Sequence, residues 1–224
     1  HSETSNGALN HLAELAPVIA AHENLLFVSD VVSSLGGAPF EMDAWGVDLA
    51  FAGTQKALAL PPGLTMFAVS PRAMDRCAAR PTRSHVYDFM EFRRRAASFE
   101  SPATINTPLV AALRFQLERI AAETLAGRWA RHADLADMVR SRLGDRFYMF
   151  PQEETATPTE TVYRVPAGLD IDALRTAMAE KGRVFAGGYG SLAGKTFRIG
   201  HMGDLRPEHV AAFLDAFEDC LSAS

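Results

Sequence analysis

Between Leu25 and Leu64 the chain reads L-L-F-V-S-D-V-V-S-S-L-G-G-A-P-F-E-M-D-A-W-G-V-D-L-A-F-A-G-T-Q-K-A-L-A-L-P-P-G-L. Two short apolar stretches inside it each lead to a charge: Leu25 to Val28 precedes Asp30, and Val47 to Ala52 precedes Lys56. Stretches of this kind suit strands of a parallel sheet buried on both faces, and ligands of such sheets sit beyond the carboxyl ends of the strands. Residues 30 and 56 are 26 positions apart, about one strand-to-strand excursion of an α/β unit. An acid and an amine can therefore meet over one pocket.

That pair suits pyridoxal 5'-phosphate. A lysine amine can hold the cofactor aldehyde, and a carboxylate facing the ring nitrogen keeps it protonated, so that the ring draws electrons from a substrate Cα. Such a lysine is expected to be partly desolvated and near other positive charge. Taken alone, the pair is better explained by coincidence, since any α/β protein has an Asp after some strand and a Lys on some loop.

The wider wording changes this. D-V-V-S-S-L-G-G-A-P-F-E-M-D-A-W-G-V-D, followed by G-T-Q-K-A-L-A-L-P-P-G-L, resembles the class V aminotransferases. These are the branch of fold-type I pyridoxal-phosphate enzymes that includes alanine-glyoxylate and serine-pyruvate aminotransferases. The opening H-S-E-T-S-N-G-A-L and the late G-K-T-F-R-I-G-H-M-G-D resemble the same family. Three blocks in the right order are far more specific than one short motif.

The resemblance implies an α/β fold, the C-terminal part of a fold-type I transferase. Residues 1–122 would be the remainder of the large cofactor domain, with a mainly parallel sheet, and residues 123–224 a small α+β domain. It implies a ping-pong aminotransferase that moves an amino group from a small amino acid of the alanine or serine type to a 2-oxo acid such as glyoxylate or pyruvate. It also implies pyridoxal 5'-phosphate as cofactor. Lys56 and Asp30 would be catalytic, and Thr4, Val32, Gln55 and Thr104 would join them around the cofactor. Thr4 would give a hydroxyl to the ring oxygen, Val32 would pack on the ring face, and Gln55, beside Thr54, would reach the phosphate. Thr104 would serve the partner subunit's cofactor, which implies a homodimer with shared active sites. Relatives often carry a tyrosine just before that threonine, and none stands here. Arg198 would hold the substrate α-carboxylate through paired hydrogen bonds.

The chain opens on His, within a block that resembles the middle of the family's cofactor domain. A fragment is therefore expected, as a cleaved product, a portion of a longer polypeptide, or half of a split enzyme whose separate chain carries the front. A lyase or desulfurase of the same fold, or a catalytically incomplete dimerising module, are the alternatives. Cys77 lies only 21 residues after Lys56 in a helical pattern, which argues against a mobile desulfurase nucleophile.

Composition agrees without adding specificity. With 48% hydrophobic residues, 22% charged and a mean hydropathy of −0.02, the chain reads as a soluble globular protein. A net charge of −5 argues against a nucleic-acid surface. Arg93, Arg94 and Arg95 read as a solvated helix face. No apolar run approaches the ~20 residues of a membrane span. The seven histidines show no metal-ligand spacing, and the two cysteines suggest a reducing cytoplasm rather than a disulfide framework.

Elsewhere, helices are expected up to His22, from Pro71 through Cys77, over 109–122, 129–143 with Gly127 as the break before it, up to Lys181 with Asp170 as cap, and over 207–221. Strands are expected over 64–70, 147–150, 161–165 and 183–186. Asp43 reads as a helix cap, Asp48 as structural, and Ser33 and Ser34 as locally bonded. Residues 83–99 read as irregular, with His85 and Tyr87 either at a substrate entrance or anchoring a loop. Gly187 to Gly190 reads as a turn beside Arg198.

Overall fold

The computed structural model describes residues 1–80, 84 and 86–222. The chain opens with a small antiparallel hairpin, β1 (Ser2–Glu3) and β2 (Ala8–Leu9), whose turn carries Thr4. Gly7 sits in that turn with φ of 75°, a conformation open to glycine without steric cost. A side chain there would also run into Val162.

Helix α1 (Leu12–Ala20) follows, then β3 (Val28–Asp30), β4 (Leu49–Gly53) and β5 (Thr65–Val69). These three form one sheet in that order, with β3 parallel to β4 and β4 antiparallel to β5. Asp30 lies opposite Phe51 in the parallel pair, so Asp30 and the segment leading to Lys56 leave the sheet from the same end. The first strand begins later than its apolar run because the Phe27 N–H donates to the Asp48 carboxylate, 2.8 Å away. Asp48 is buried and also accepts from Ser70 and Arg72. Burial works against its charged form, but these donors outweigh it and hold the carboxyl below its ordinary range.

Helix α2 (Pro71–Ala78) starts as the sequence suggests, with Ser70 accepting from the Ala73 N–H and Pro71 where no amide hydrogen is needed. Two long helices, α4 (Thr107–Glu123) and α5 (Leu125–Leu143), come after α3 (Phe89–Ala96). A second sheet, of β6 (Glu160–Arg164), β7 (Ala186–Gly187) and β8 (Thr196–Gly200), has the order β6-β8-β7 and is antiparallel throughout. Helices α6 (Ile171–Glu180) and α7 (Pro207–Ser222) complete the chain. Leu135, Val139, Tyr163, Leu174, Phe197 and Phe217 form the largest apolar core, between α5, α6, α7 and one face of this sheet. Among the described residues no helix is long and apolar enough to cross a membrane.

Several local expectations are corrected. The break between the long helices falls at Thr124, whose φ is 67°, and Gly127 lies inside the first turn of α5, its N–H bonded to the Thr124 hydroxyl. Asp43 caps no helix; residues 42–46 form a turn in which its carbonyl accepts from Gly46. Residues 147–150 make only an isolated bridge, Met149 to Tyr163, and the strand expected over 183–186 shrinks to Ala186–Gly187. The region read as irregular contains α3, whose Arg94 and Arg95 pair with Glu91 while Arg93 and Arg94 face solvent. Asp170 caps α6 as expected, accepting from the amides of residues 172 and 173.

Candidate active site

Strand alternation decides which side chains face the hairpin. Tyr163, Phe197 and Ile199 point into the large core. Glu160, Val162 and Arg198 lie on the opposite face, since Val162 is paired with Arg198 and lies against Gly7 of the hairpin turn. From that face Arg198 donates through Nη1 to the Thr4 carbonyl at 3.4 Å and through Nε to the Gly187 carbonyl at 3.0 Å. Among the described residues its guanidinium has no carboxylate ion-pair partner. The turn expected over Gly187 to Gly190 is corrected: Gly187 ends β7, residues 190–192 form a short 3-10 turn, and the Gly187 carbonyl orients the guanidinium.

Thr4 in turn shares a short hydrogen bond between its hydroxyl and that of Ser33, three residues beyond Asp30. Ser34 bonds to the His1 ring at 2.8 Å as well as to the Val31 carbonyl. The expectation of local bonding holds for Ser34, at the Val31 carbonyl, and is otherwise corrected: both serines tie the segment after Asp30 to the first four residues. Asp30 is exposed at the strand end, and its Oδ1 accepts from the Val32 N–H at 2.8 Å. Val32 is half-buried. Hydrogen bonds join Arg198, Thr4 and Ser33, although 194 positions separate Thr4 from Arg198, and Asp30 stands three residues before Ser33.

Lys56 is half-buried on the loop after β4. Thr54, just before it, is fully buried and donates to the Pro61 carbonyl at 2.7 Å, which shapes that loop rather than reaching a ligand. Gln55 is exposed, and its amide lies over Gly53, where a Cβ would come within 2.4 Å of Oε1. The loop is held from below by α5. Arg128, whose side chain is only 2% exposed, donates to the Ala57 carbonyl at 2.7 Å, to Glu123 at 2.8 Å and to Asp204 at 3.1 Å. Arg131 also pairs with Glu123. Hydrogen bonds from Arg131, opposed by burial and joined by Arg128, hold the Glu123 carboxyl at about 2. His132 accepts from the Gly203 N–H at 3.0 Å and bonds the Arg128 carbonyl at 2.8 Å. Burial pushes its imidazole down to about 4, so it is neutral at pH 7.

Reasoning from sequence alone missed Glu160. It is 4% exposed at the start of β6, and among the described residues its Oε1 has no hydrogen-bond partner. Burial pushes its carboxyl up to about 7, against the pull of Lys56 and Arg198 and with the repulsion of Glu3. Lys56 and Arg198 both lie within electrostatic reach of this carboxyl. The available signal was an acid inside the otherwise uncharged run T-P-T-E-T-V-Y, at the head of a strand that ends at Arg164.

Thr104 does not join this set. It is exposed on the rim of a cavity of about 400 Å³ lined by Phe51, Phe67, Phe89, Phe92 and Tyr87. Tyr87 is 86% exposed; His85 lies outside the described residues. Cys77 lies within α2, half-buried.

The hairpin and two sheets with their crossover helices define a fold-type I arrangement, and the family follows from comparison. A family model described as "Aminotransferase class-V" matches residues 1–182. The chain belongs to the class V aminotransferase family. It is 36% identical to the L-aspartate–glyoxylate aminotransferase of Paracoccus denitrificans, with 92% of this chain and 53% of the relative covered. It is 34% identical to the serine–glyoxylate aminotransferase of Hyphomicrobium methylovorum, with 99% and 56% covered. Among solved structures it matches an aspartate aminotransferase of subgroup IV from Thermus thermophilus with a TM-score of 0.91 and 31% identity, covering 100% of this chain and 63% of that one. The chain spans just over half the length of the curated relatives it matches.

Proposed function

We propose that this chain carries the lysine-bearing and substrate-carboxylate-binding parts of a pyridoxal 5'-phosphate-dependent aminotransferase. In this reading residues 1–122 belong to the large cofactor domain and residues 123–224 form the small domain. The donor is a small amino acid of the alanine or serine type and the acceptor a 2-oxo acid such as glyoxylate or pyruvate. A relative named for serine and glyoxylate supports that pair, while one named for aspartate and glyoxylate supports the acceptor alone. The observation that carries the reading is the hydrogen-bonded link from Arg198 through Thr4 to Ser33, three residues after Asp30, with Asp30 and the segment to Lys56 leaving the same end of the sheet.

The donor groups fit the cofactor. Asp30 is exposed at a strand end with Oδ1 engaged by a backbone amide, and its Oδ2 makes no hydrogen bond among the described residues. That oxygen would hold a protonated ring nitrogen. Val32 would pack on the ring, Thr4 would offer its hydroxyl to the ring oxygen, and Gln55 would reach the phosphate. Pyridoxal phosphate supplies, when bound, an aldehyde that a lysine amine can hold and an electron-withdrawing ring.

The remaining work falls to side chains of this chain. Arg198, oriented by two carbonyls, grips the α-carboxylate in a bidentate fork. Lys56 takes the proton from the substrate Cα as general base and later delivers a proton as general acid. Thr104 would contact the phosphate of the partner subunit's site in a cytoplasmic homodimer. The desulfurase alternative is disfavoured by Cys77, which lies within a helix rather than on a mobile loop.

Incubating the polypeptide with pyridoxal phosphate tests the reading. A near-visible absorbance band that disappears in Lys56→Ala is expected. Absence of the band in the parent protein, or its persistence in the variant, refutes the assignment of Lys56.

A further inference from the structure

Glu160 is used by none of the roles above, yet it occupies the face that carries Arg198. Its neighbours explain why this placement has consequences. Cross-strand pairing sets Glu160 opposite Gly200, two residues beyond Arg198 on β8. Gly200 has no side chain to cover it. The side chain is buried, Oε1 is unpartnered, and the charged groups within electrostatic reach are Lys56 on the loop after β4, Arg198 on β8 and Glu3 on β1. A buried carboxyl oxygen without a partner costs free energy, so such groups are rare unless a ligand or water completes them.

We propose that Glu160 is a specificity-determining residue that selects amino donors with a small neutral, hydrogen-bonding side chain, such as a hydroxyl, and rejects donors with a second carboxylate. The inference rests on the aminotransferase reading and on Arg198 holding the α-carboxylate. With that carboxylate on Arg198, the donor's remaining substituents lie on the face that Glu160 shares. A hydroxyl would supply the hydrogen bond that the buried Oε1 lacks. A second carboxylate instead meets a like charge, or requires Glu160 to be protonated first.

Titration gives the sign. Burial, opposed by Lys56 and Arg198 and reinforced by Glu3, places the Glu160 carboxyl at about 7. Below that pH Glu160 is neutral and tolerates a dicarboxylic donor; above it the charge repels one. Rejection of dicarboxylates therefore strengthens as pH rises through 7.

The test uses the whole polypeptide loaded with pyridoxal phosphate, with serine and aspartate as donors and glyoxylate as acceptor. In the parent protein the serine-to-aspartate ratio of kcat/KM should exceed one and climb with pH through the region around 7. In Glu160→Gln, which keeps the shape, it should fall about tenfold or more and lose its pH dependence. Glu160→Asp should retain a preference for serine. A second readout needs no turnover: an infrared carboxyl band of the protein alone should titrate near 7 and be missing in Glu160→Gln. A ratio unchanged within about twofold in Glu160→Gln, with the parent protein active, overturns the role of Glu160. Absence of turnover with either donor in the parent protein overturns the aminotransferase reading and this inference with it.

Discussion

Replacing Arg128 with methionine tests how the lysine-bearing loop is held. The side chain is 2% exposed, and its guanidinium makes three charge-assisted or backbone contacts, to Glu123, Asp204 and the Ala57 carbonyl next to Lys56. Breaking a buried ion pair by removing one partner costs about 3–5 kcal/mol. Glu123 keeps Arg131, and Asp204 keeps Arg119 and Gln116, so neither carboxylate is stranded. The Ala57 carbonyl, by contrast, loses its donor. Methionine restores much of the apolar stem, which places the loss near the lower end, about 3 kcal/mol. For a chain of this size each kcal/mol lowers Tm by about 2–4 °C, so the midpoint should drop by roughly 6–12 °C. Urea unfolding followed by fluorescence of Trp129, one residue along α5, gives the free energy directly. A loss below about 1 kcal/mol would refute the view that Arg128 carries the junction between α5 and the loop.

Acid should destabilise the fold through two buried imidazoles. His132 is pushed down to about 4 and His201 to about 3, in both cases chiefly by burial. The unfolded value is about 6.5, so between that pH and 4 the unfolded state binds the extra protons. Stability is therefore complete above 6.5 and is lost as pH falls, with a slope of about 1.4 kcal/mol per pH unit for each imidazole. Glu160, held at about 7 from an ordinary value of 4.5, keeps its proton in the folded state over the same range and offsets one imidazole. The net slope is therefore about 1.4 kcal/mol per pH unit. His132→Phe should bring it near zero in a pH series of urea titrations; an unchanged slope contradicts the assignment. Gly37→Ala should cost about 1–3 kcal/mol by overpacking, because its Cβ would lie 2.5 Å from the Thr159 methyl and 3.0 Å from the Ala57 Cβ. Thermal melting checks it, and a neutral effect would mean that this contact yields easily.

Much of the helical framework was legible in the sequence because local signals are strong there. Ser70 before Pro71 and Asp170 before Ile171 mark helix starts through side-chain caps, and α7 follows its apolar period over almost its whole length. Errors arose where tertiary contacts outweighed local preference. Gly127 read as a breaker, but an N-terminal turn tolerates glycine, and Thr124 ends the preceding helix by its positive φ and caps the next. The 147–150 run looked like a strand because it is apolar. Its apolarity instead serves the core, where Phe147 packs against Phe197 with ring centroids 5.1 Å apart.

Asp30, Lys56, Arg198 and Thr4 were nominated from the blocks in which they stand, and nothing in their spacing said that Arg198 would bond Thr4 or that Thr4 would reach Ser33, three residues after Asp30. The order of strands and helices, the end of the sheet from which Asp30 and Lys56 emerge, and the family itself follow from the amino-acid sequence, because short apolar runs, caps and motif wording are local information. The meeting of the first hairpin with β8 and the support of the lysine loop by Arg128 depend on pairings across many tens of residues. So does the burial of the Glu160 carboxyl. Only folding brings such groups out of water and into each other's field, so only the tertiary structure could decide them.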